Sequence, residues 1–194
     1  METELEAQFI DIDQDKVRSK LRDIGATLVH EERMTRAKIY EHPTKKETDW
    51  FRVRDEGDKI TLSYKKLVDR SLHGTKEISL TVPSFDKACA ILEVAHLKFM
   101  TYQEKKRESW KYNDVEIEID TWPWIPTFIE IESLDAEKVK QTARELGFKW
   151  EDALFGSVEN IYQIHYDVTE REVDTWPEIL FSEVPDWLEK KRRK

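Results

Sequence analysis

The sequence predicts an α+β chain in which an antiparallel sheet closes into a β-barrel, or tunnel, with helices packed outside. Two patterns carry this expectation. About seven or eight short segments alternate polar and apolar residues with a period of two, and most are joined as hairpins. Helical stretches fall between them at intervals rather than after every strand, which suits an antiparallel sheet better than a parallel one. A flat α+β sheet is the alternative.

Residues 4–10 (Glu4-Leu5-Glu6-Ala7-Gln8-Phe9-Ile10) alternate as a strand does. Cap-type residues follow at 11–15. Val17, Leu21, Ile24 and Leu28 then fall at helical spacing, with Gly25 as the stop. Residues 38–40 read as a short strand before a polar turn at His42-Pro43-Thr44. Residues 50–54 and 59–66 form a hairpin around Asp55-Glu56-Gly57-Asp58, and 76–82 is a further strand. Ser84 caps a helix whose apolar stripe is Ala88, Ile91, Leu92 and Ala95. Residues 101–111 and 115–120 make a second hairpin turning at Asn113-Asp114, and 128–132 is a strand. Asp135 caps a helix carrying Val139, Ala143 and Leu146, closed by Gly147, and 157–165 is helical. The tail holds Trp176, Pro177, Pro185 and Trp187 and ends in the basic run 190–194.

Composition excludes several classes. The 194 residues are 39% hydrophobic and 11% aromatic, too apolar for disorder, and long enough for one sizeable core. A net charge of −9, from 32 basic and 41 acidic residues, disfavours a nucleic-acid or anionic-membrane partner. A single cysteine, Cys89, rules out a disulfide framework and a thiolate zinc cluster. No run approaches the ~18 apolar residues of a membrane span, and METELEAQF is unlike a signal peptide. The expected setting is reducing and cytoplasmic.

The charged share, 38%, is high, and the charges are sorted within strands. Glu4, Glu6 and Gln8 share one strand face, as do Arg52 with Arg54, Lys105 with Arg107, Glu116 with Glu118 and Asp120, and Glu130 with Glu132. Each set alone fits a solvated sheet face around an apolar barrel core. The sorting by sign favours the opposite: apolar faces under the helices and charged faces lining a wet cavity, because a solvated sheet mixes signs. Converging carboxylates suit Mg²⁺ or Mn²⁺, hard cations that prefer oxygen. Paired arginines present fork-shaped donors to phosphate oxygens. Phosphoryl transfer needs mainly positioning and charge neutralisation, so such a tunnel is a polyphosphate site. The sequence has no Gly-rich phosphate loop, GxSxG turn or HExxH helix.

These residues also resemble a known family. Glu4-Leu5-Glu6-Ala7-Gln8-Phe9 is similar to the E-x-E-x-K strand that opens CYTH domains, the triphosphate tunnel metalloenzymes, which include class IV adenylate cyclases, thiamine triphosphatases and inorganic triphosphatases. Phe51-Arg52-Val53-Arg54 resembles the L-R-x-R strand, Thr61-Leu62-Ser63-Tyr64-Lys65 the lysine strand, and Lys76-Glu77-Ile78 the strand with an acid. Lys105-Lys106-Arg107 resembles K-x-R, Asp120 an inward aspartate, and Phe128-Ile129-Glu130-Ile131-Glu132 the closing F-x-E-x-E strand. Each motif is weak alone; together, in order over residues 4–132, they are specific.

The resemblance implies an eight-stranded antiparallel tunnel over residues 1–170, followed by a tail of unassigned role at 171–194. It implies Glu4, Glu6, Glu130 and Glu132 as ligands of Mg²⁺ or Mn²⁺, and Arg52, Arg54, Lys65, Lys105 and Arg107 as phosphate binders. Glu77 and Asp120 would help hold a second metal or organise water, and Lys65 and Asp120 are the expected catalytic groups. Gln8 stands where the family has a lysine of the phosphate clamp, and Ser79 where it has a second acid. Lys66, Lys38, Arg36 and Arg33 are candidates to supply the missing charge.

The tryptophans read as core or tunnel-mouth packing, with Trp122-Pro123-Trp124 placed to cover a mouth or stack on a base. Cys89 reads as a buried small hydrophobe, the histidines as surface or turn residues, and 190–194 as a solvated, frayed terminus. The expected function is a divalent-metal-dependent phosphohydrolase of a small triphosphate. An adenylate cyclase and a non-catalytic polyphosphate or nucleotide sensor are the alternatives, Gln8 favouring the last. The expected partner is a small-molecule triphosphate or nucleotide, and a homodimer is compatible with the sequence.

Overall fold

Alternating residues build eight antiparallel strands into one curled sheet in a computed structural model of the protein, which describes residues 1–44 and 48–193 apart from the side chains of Glu2 and Glu4. The strands are β1 (Glu2–Phe9), β2 (Thr27–Glu41), β3 (Asp49–Asp55), β4 (Ile60–Leu67), β5 (Thr75–Thr81), β6 (Phe99–Tyr112), β7 (Val115–Thr121) and β8 (Phe128–Ser133). Their order is β2-β3-β4-β5-β1-β8-β7-β6, and β2 pairs back onto β6, so the ring of strands closes. The β1–β5 seam is short, with register pairs from Glu2↔Glu77 to Glu4↔Thr75. Beyond it, Gln8 bridges instead to Leu154.

The apolar faces turn outward, under helices. Helix α1 (Gln14–Asp23), capped by Asp13, and α3 (Ala136–Glu145), capped by Asp135, follow the capping rule for short polar side chains. Val17 and Leu21 of α1 and Val139 and Ala143 of α3 pack with Leu5, Ala7, Phe9, Ile117, Ile119, Ile129 and Ile131 in one core. Helix α2 (Phe85–Val94), capped by Ser84, lays Phe85, Ala88, Cys89 and Leu92 on Tyr40 and Val53. Burying the outward faces frees the inward ones for charge.

Two element boundaries differ from expectation. Leu28, placed by its spacing on α1, lies in β2, because Gly25 takes φ +83 and ends the helix first. Residues 38–40 are only the end of β2, a 15-residue strand whose earlier half pairs with β6 through two register shifts. Its exposed, irregular N-terminal half shows no clean alternation, which hid it.

The C-terminal segment is an integral part of the fold. After α4 (Glu159–His165) and α5 (Glu170–Asp174), β9 (Glu178–Ile179) pairs in parallel with β6 at Tyr102 and Gln103, past the point where β7 leaves β6 at Lys106↔Thr121. Trp176, Ile179 and Leu188, the last from α6 (Asp186–Glu189), join Trp122, Phe128, Ile161 and Tyr162 in a second core. Phe128 shares a strand face with Glu130 and Glu132, and Trp122 has the parity of Asp120. This core therefore fills the barrel end nearest the β7–β8 loop. Residues 190–193 are docked rather than frayed: Lys191 pairs with Glu172 at 2.6 Å, and the Arg192 guanidinium lies 4.8 Å above the Tyr166 ring. Lys194 lies outside the described residues. Among the described residues no helix is long and apolar enough to cross a membrane.

Candidate active site

Strand periodicity turns Glu6, Gln8, Arg52, Arg54, Lys65, Glu77, Lys105, Arg107, Asp120, Glu130 and Glu132 to the inside of the ring, opposite the apolar faces. The Glu4 side chain lies outside the described residues. The interior is not divided into a basic and an acidic half. Each buried cation takes an acid, because a charge removed from water without a counter-charge is costly.

Asp120 is the hub. It is fully buried and accepts from Lys105 Nζ at 2.6 Å and from Arg107 Nε and Nη2 at 2.7 and 2.6 Å. Arg107 Nη2 reaches on to Glu130 Oε2 at 2.5 Å. Across the ring, Lys65 Nζ is 2.9 Å from Glu77 Oε2, and Arg52 Nη2 is 3.7 Å from the same oxygen. Arg54 Nη1 pairs with Glu56 Oε1 at 3.0 Å. Ser79 hydrogen-bonds Ser63 at 2.8 Å, a neutral pair in this charged wall.

Proton affinities follow from burial against these partners. Burial alone would raise the Asp120 carboxyl, but Arg107 and Lys105 hold it far below the usual range. Burial, and then the neighbouring Arg107 charge, push the Lys105 ammonium down to about 8. Burial pushes Glu118 up to about 7, and it raises Glu132 too, with Glu116 and Glu130 adding repulsion against the opposing pull of Lys65. On this side of the ring acids outnumber their cations.

That excess is also written in the register. Gln8 faces Glu130, which faces Glu118; Glu6 faces Glu132, which faces Glu116. Like charges directly opposite each other destabilise a sheet unless something neutralises them. Gln8 Nε2 donates towards Glu6 at 2.8 Å, Glu130 at 3.2 Å and the Gly156 carbonyl at 3.2 Å. The amide thus ties two carboxylates together where a lysine would carry charge. Gln8 Oε1 and Glu118 Oε2 are both buried acceptors with no hydrogen-bond donor, the latter 3.8 Å from Arg107 Nε. Buried hard oxygens in a row of carboxylates fit a divalent cation in chemistry. Among the described residues no three His, Cys, Asp or Glu side chains already close around one point.

Two interior residues, Glu118 and Glu56, were not among the expected site. Glu118 was visible in the alternation with Asp120. Arg33 faces Arg107 across β2 and β6 and donates to Ser109 Oγ at 3.1 Å, so of the four replacement cations it is the inward one. Arg36 pairs outside with Asp55, Lys38 with Glu93, and Lys66 has the outward parity of Tyr64. Glu56, in a turn, carried no periodic signal at all. Trp122 is buried with the Lys105 ammonium 5.5 Å from its ring centre, and Tyr162 and Tyr166 hydroxyls bond the Pro123 and Trp124 carbonyls. The Trp122-Pro123-Trp124 loop is thereby pinned to the C-terminal segment.

The fold is thus a closed β-barrel whose interior is built of facing cations and carboxylates. The chain belongs to the CYTH family: the CYTH domain model matches residues 2–171. Members of this family act on triphosphates as triphosphatases or cyclases and generally depend on divalent metal. Solved structures share the fold. A conserved hypothetical protein from Pyrococcus furiosus matches at TM-score 0.66 and 24% identity, covering 78% of this chain and 94% of that one. A proposed adenylate cyclase from Vibrio parahaemolyticus matches at TM-score 0.71 and 14% identity, covering 84% and 98%. A proposed adenylyl cyclase from Hippeastrum, described as having a dominant triphosphatase activity, matches at TM-score 0.53 and 15% identity, covering 81% and 91%. No curated protein matches the chain.

Proposed function

We propose that the protein is a divalent-metal-dependent phosphohydrolase that binds a small triphosphate (inorganic, nucleoside or thiamine triphosphate) inside the barrel. The observation that carries this reading is the inward convergence of Arg52, Arg54, Lys65, Lys105 and Arg107 upon a facing row of carboxylates. The five cations neutralise and orient the phosphate oxygens, with the arginines as forks. Asp120 positions Lys105 and Arg107, since both of its oxygens are engaged by them. Glu6, Glu130 and Glu132, with Glu4 and Glu77, would hold Mg²⁺ or Mn²⁺. The metal, when bound, supplies charge neutralisation at the phosphate chain. Burial of Glu118 leaves a carboxyl that binds a proton more tightly than a free one does, suited to taking a proton from an attacking water.

Two other readings have their own support. The neighbours proposed as adenylate cyclases favour a cyclase, in which a ribose 3′-hydroxyl attacks the α-phosphorus. The neutral amide of Gln8 between Glu6 and Glu130 favours a sensor that binds without turnover. One incubation separates the three. The protein is mixed with tripolyphosphate or ATP and either metal, and phosphate and cyclic AMP are measured beside binding. Phosphate release supports the hydrolase, cyclic AMP the cyclase, and binding alone the sensor. Absence of binding would defeat all three.

A further inference from the structure

Glu56 sits in the tight turn between β3 and β4, where an acid ordinarily faces water. The other acid of the turn behaves as expected: the Asp58 side chain is 46% exposed. Glu56 is 7% exposed and folds back over the end of the barrel. Gly57, at φ +90, supplies the backbone conformation that lets the turn double back. The Glu56 main chain is fixed on both sides, its N–H donating to the Lys59 carbonyl and its carbonyl accepting from Arg33 Nε, each at 2.9 Å. One carboxylate oxygen takes Arg54 Nη1 at 3.0 Å and the other lies 3.3 Å from Lys59 Nζ. Burial works against this charge, yet Arg54, Lys59 and the field of Arg107 hold its carboxyl at about 2. Glu56 is thus a permanently charged oxyanion held by the same kind of donors that a phosphate needs.

We infer that Glu56 is a tethered anion standing in the place of a ligand phosphate group at Arg54, and that it sets the charge a ligand must carry to enter. The inference rests on the triphosphate reading above. A carboxylate and a phosphate oxygen pair compete for one guanidinium fork. A monoanion gains nothing by displacing a carboxylate that is already held by its own chain. A triphosphate engages Arg52, Lys65, Lys105 and Arg107 as well, and can expel Glu56 from Arg54. The Glu56 side chain then swings out to water beside Lys59, while its main chain stays held by Lys59 and Arg33.

The test is calorimetric titration of the chain with inorganic tripolyphosphate, first metal-free and then with Mg²⁺ present. Glu56→Gln keeps shape and removes charge; Asp58→Asn makes the same change in net charge at an exposed turn position. Glu56→Gln is expected to bind tripolyphosphate about tenfold more tightly than the unaltered protein, a difference of about 1.4 kcal/mol, and Asp58→Asn less than about twofold. Equal effects of the two variants, or weaker binding by Glu56→Gln, overturn the inference alone. No binding by any of the three overturns the triphosphate reading and this inference with it. A second measurement needs no variant. On adding tripolyphosphate to the unaltered protein, the carbon-13 resonance of the Glu56 side-chain carboxylate should move to that of a glutamate in water as it leaves Arg54. An unchanged resonance, with binding observed, overturns the inference.

Discussion

Asp120 holds two cations that would otherwise repel each other within a buried space. Removing one partner of such a group leaves uncompensated charge, which costs more than the group itself contributed. Asp120→Asn is expected to destabilise the fold by about 3 kcal/mol, read from the urea midpoint; a loss under about 1 kcal/mol would mean water already reaches Lys105. Glu159, on α4, offers a pH test. Its Oε2 is buried without a hydrogen-bond partner, and burial raises its carboxyl. The folded chain therefore keeps this proton to higher pH than the unfolded chain. Stability from this group is complete below the unfolded value of about 4.3 and falls as pH rises through the folded one. Glu159→Gln should gain on the unaltered protein between pH 4 and pH 8 in paired urea melts, and a constant difference would contradict it. At this scale the sequence was legible wherever a residue belonged to a regular strand. Arg52 and Arg54 could be read from spacing alone; Glu56 could not, because a turn has no period and its acid is buried by ion pairs.

Elements were legible where caps and periodicity agreed. Ser84 and Asp135 each cap a helix; Asp135 is followed by the expected stripe Val139, Ala143 and Leu146, whereas the buried face after Ser84 is Phe85, Ala88, Cys89 and Leu92, with Ile91 and Ala95 turned to solvent. Leu28 shows the limit: four apolar residues keep helical spacing, but Gly25 interrupts them, and β2 begins in the middle of the pattern. The C-terminal segment was opaque because its elements are too short to repeat anything. β9 is 2 residues and α6 is 4, and tertiary packing of single aromatic residues fixes them. Trp176 meets Trp124, Tyr162 and Trp187 edge to face. Trp176→Ala is expected to cost about 3 kcal/mol or more. Its tryptophan neighbours should redden in fluorescence as water enters. A loss within 0.5 kcal/mol, the usual range for surface changes, would show that this segment is an appendage.

On the scale of the whole molecule, one decision organises everything: the apolar strand faces go under the helices, so the charged faces meet inside. Eight strands close the ring, and a second core seals one end of it. The inside-out arrangement was readable from the sorting of charge by sign, while the mutual pairing of those charges was not, since pairing depends on which strands become neighbours. On the proposed metal dependence, removing divalent ions with EDTA should abolish turnover, and adding Mn²⁺ should restore it. The most direct test of the central claim compares an inward arginine with an outward one. Binding of tripolyphosphate with Mg²⁺ is titrated for Arg52→Ala and Arg36→Ala. An enclosed phosphate site predicts that Arg52→Ala weakens binding by about thirtyfold, the worth of a charge-assisted hydrogen bond of about 2 kcal/mol, and that Arg36→Ala leaves it unchanged. Equal losses from both, or none from Arg52→Ala, would contradict it.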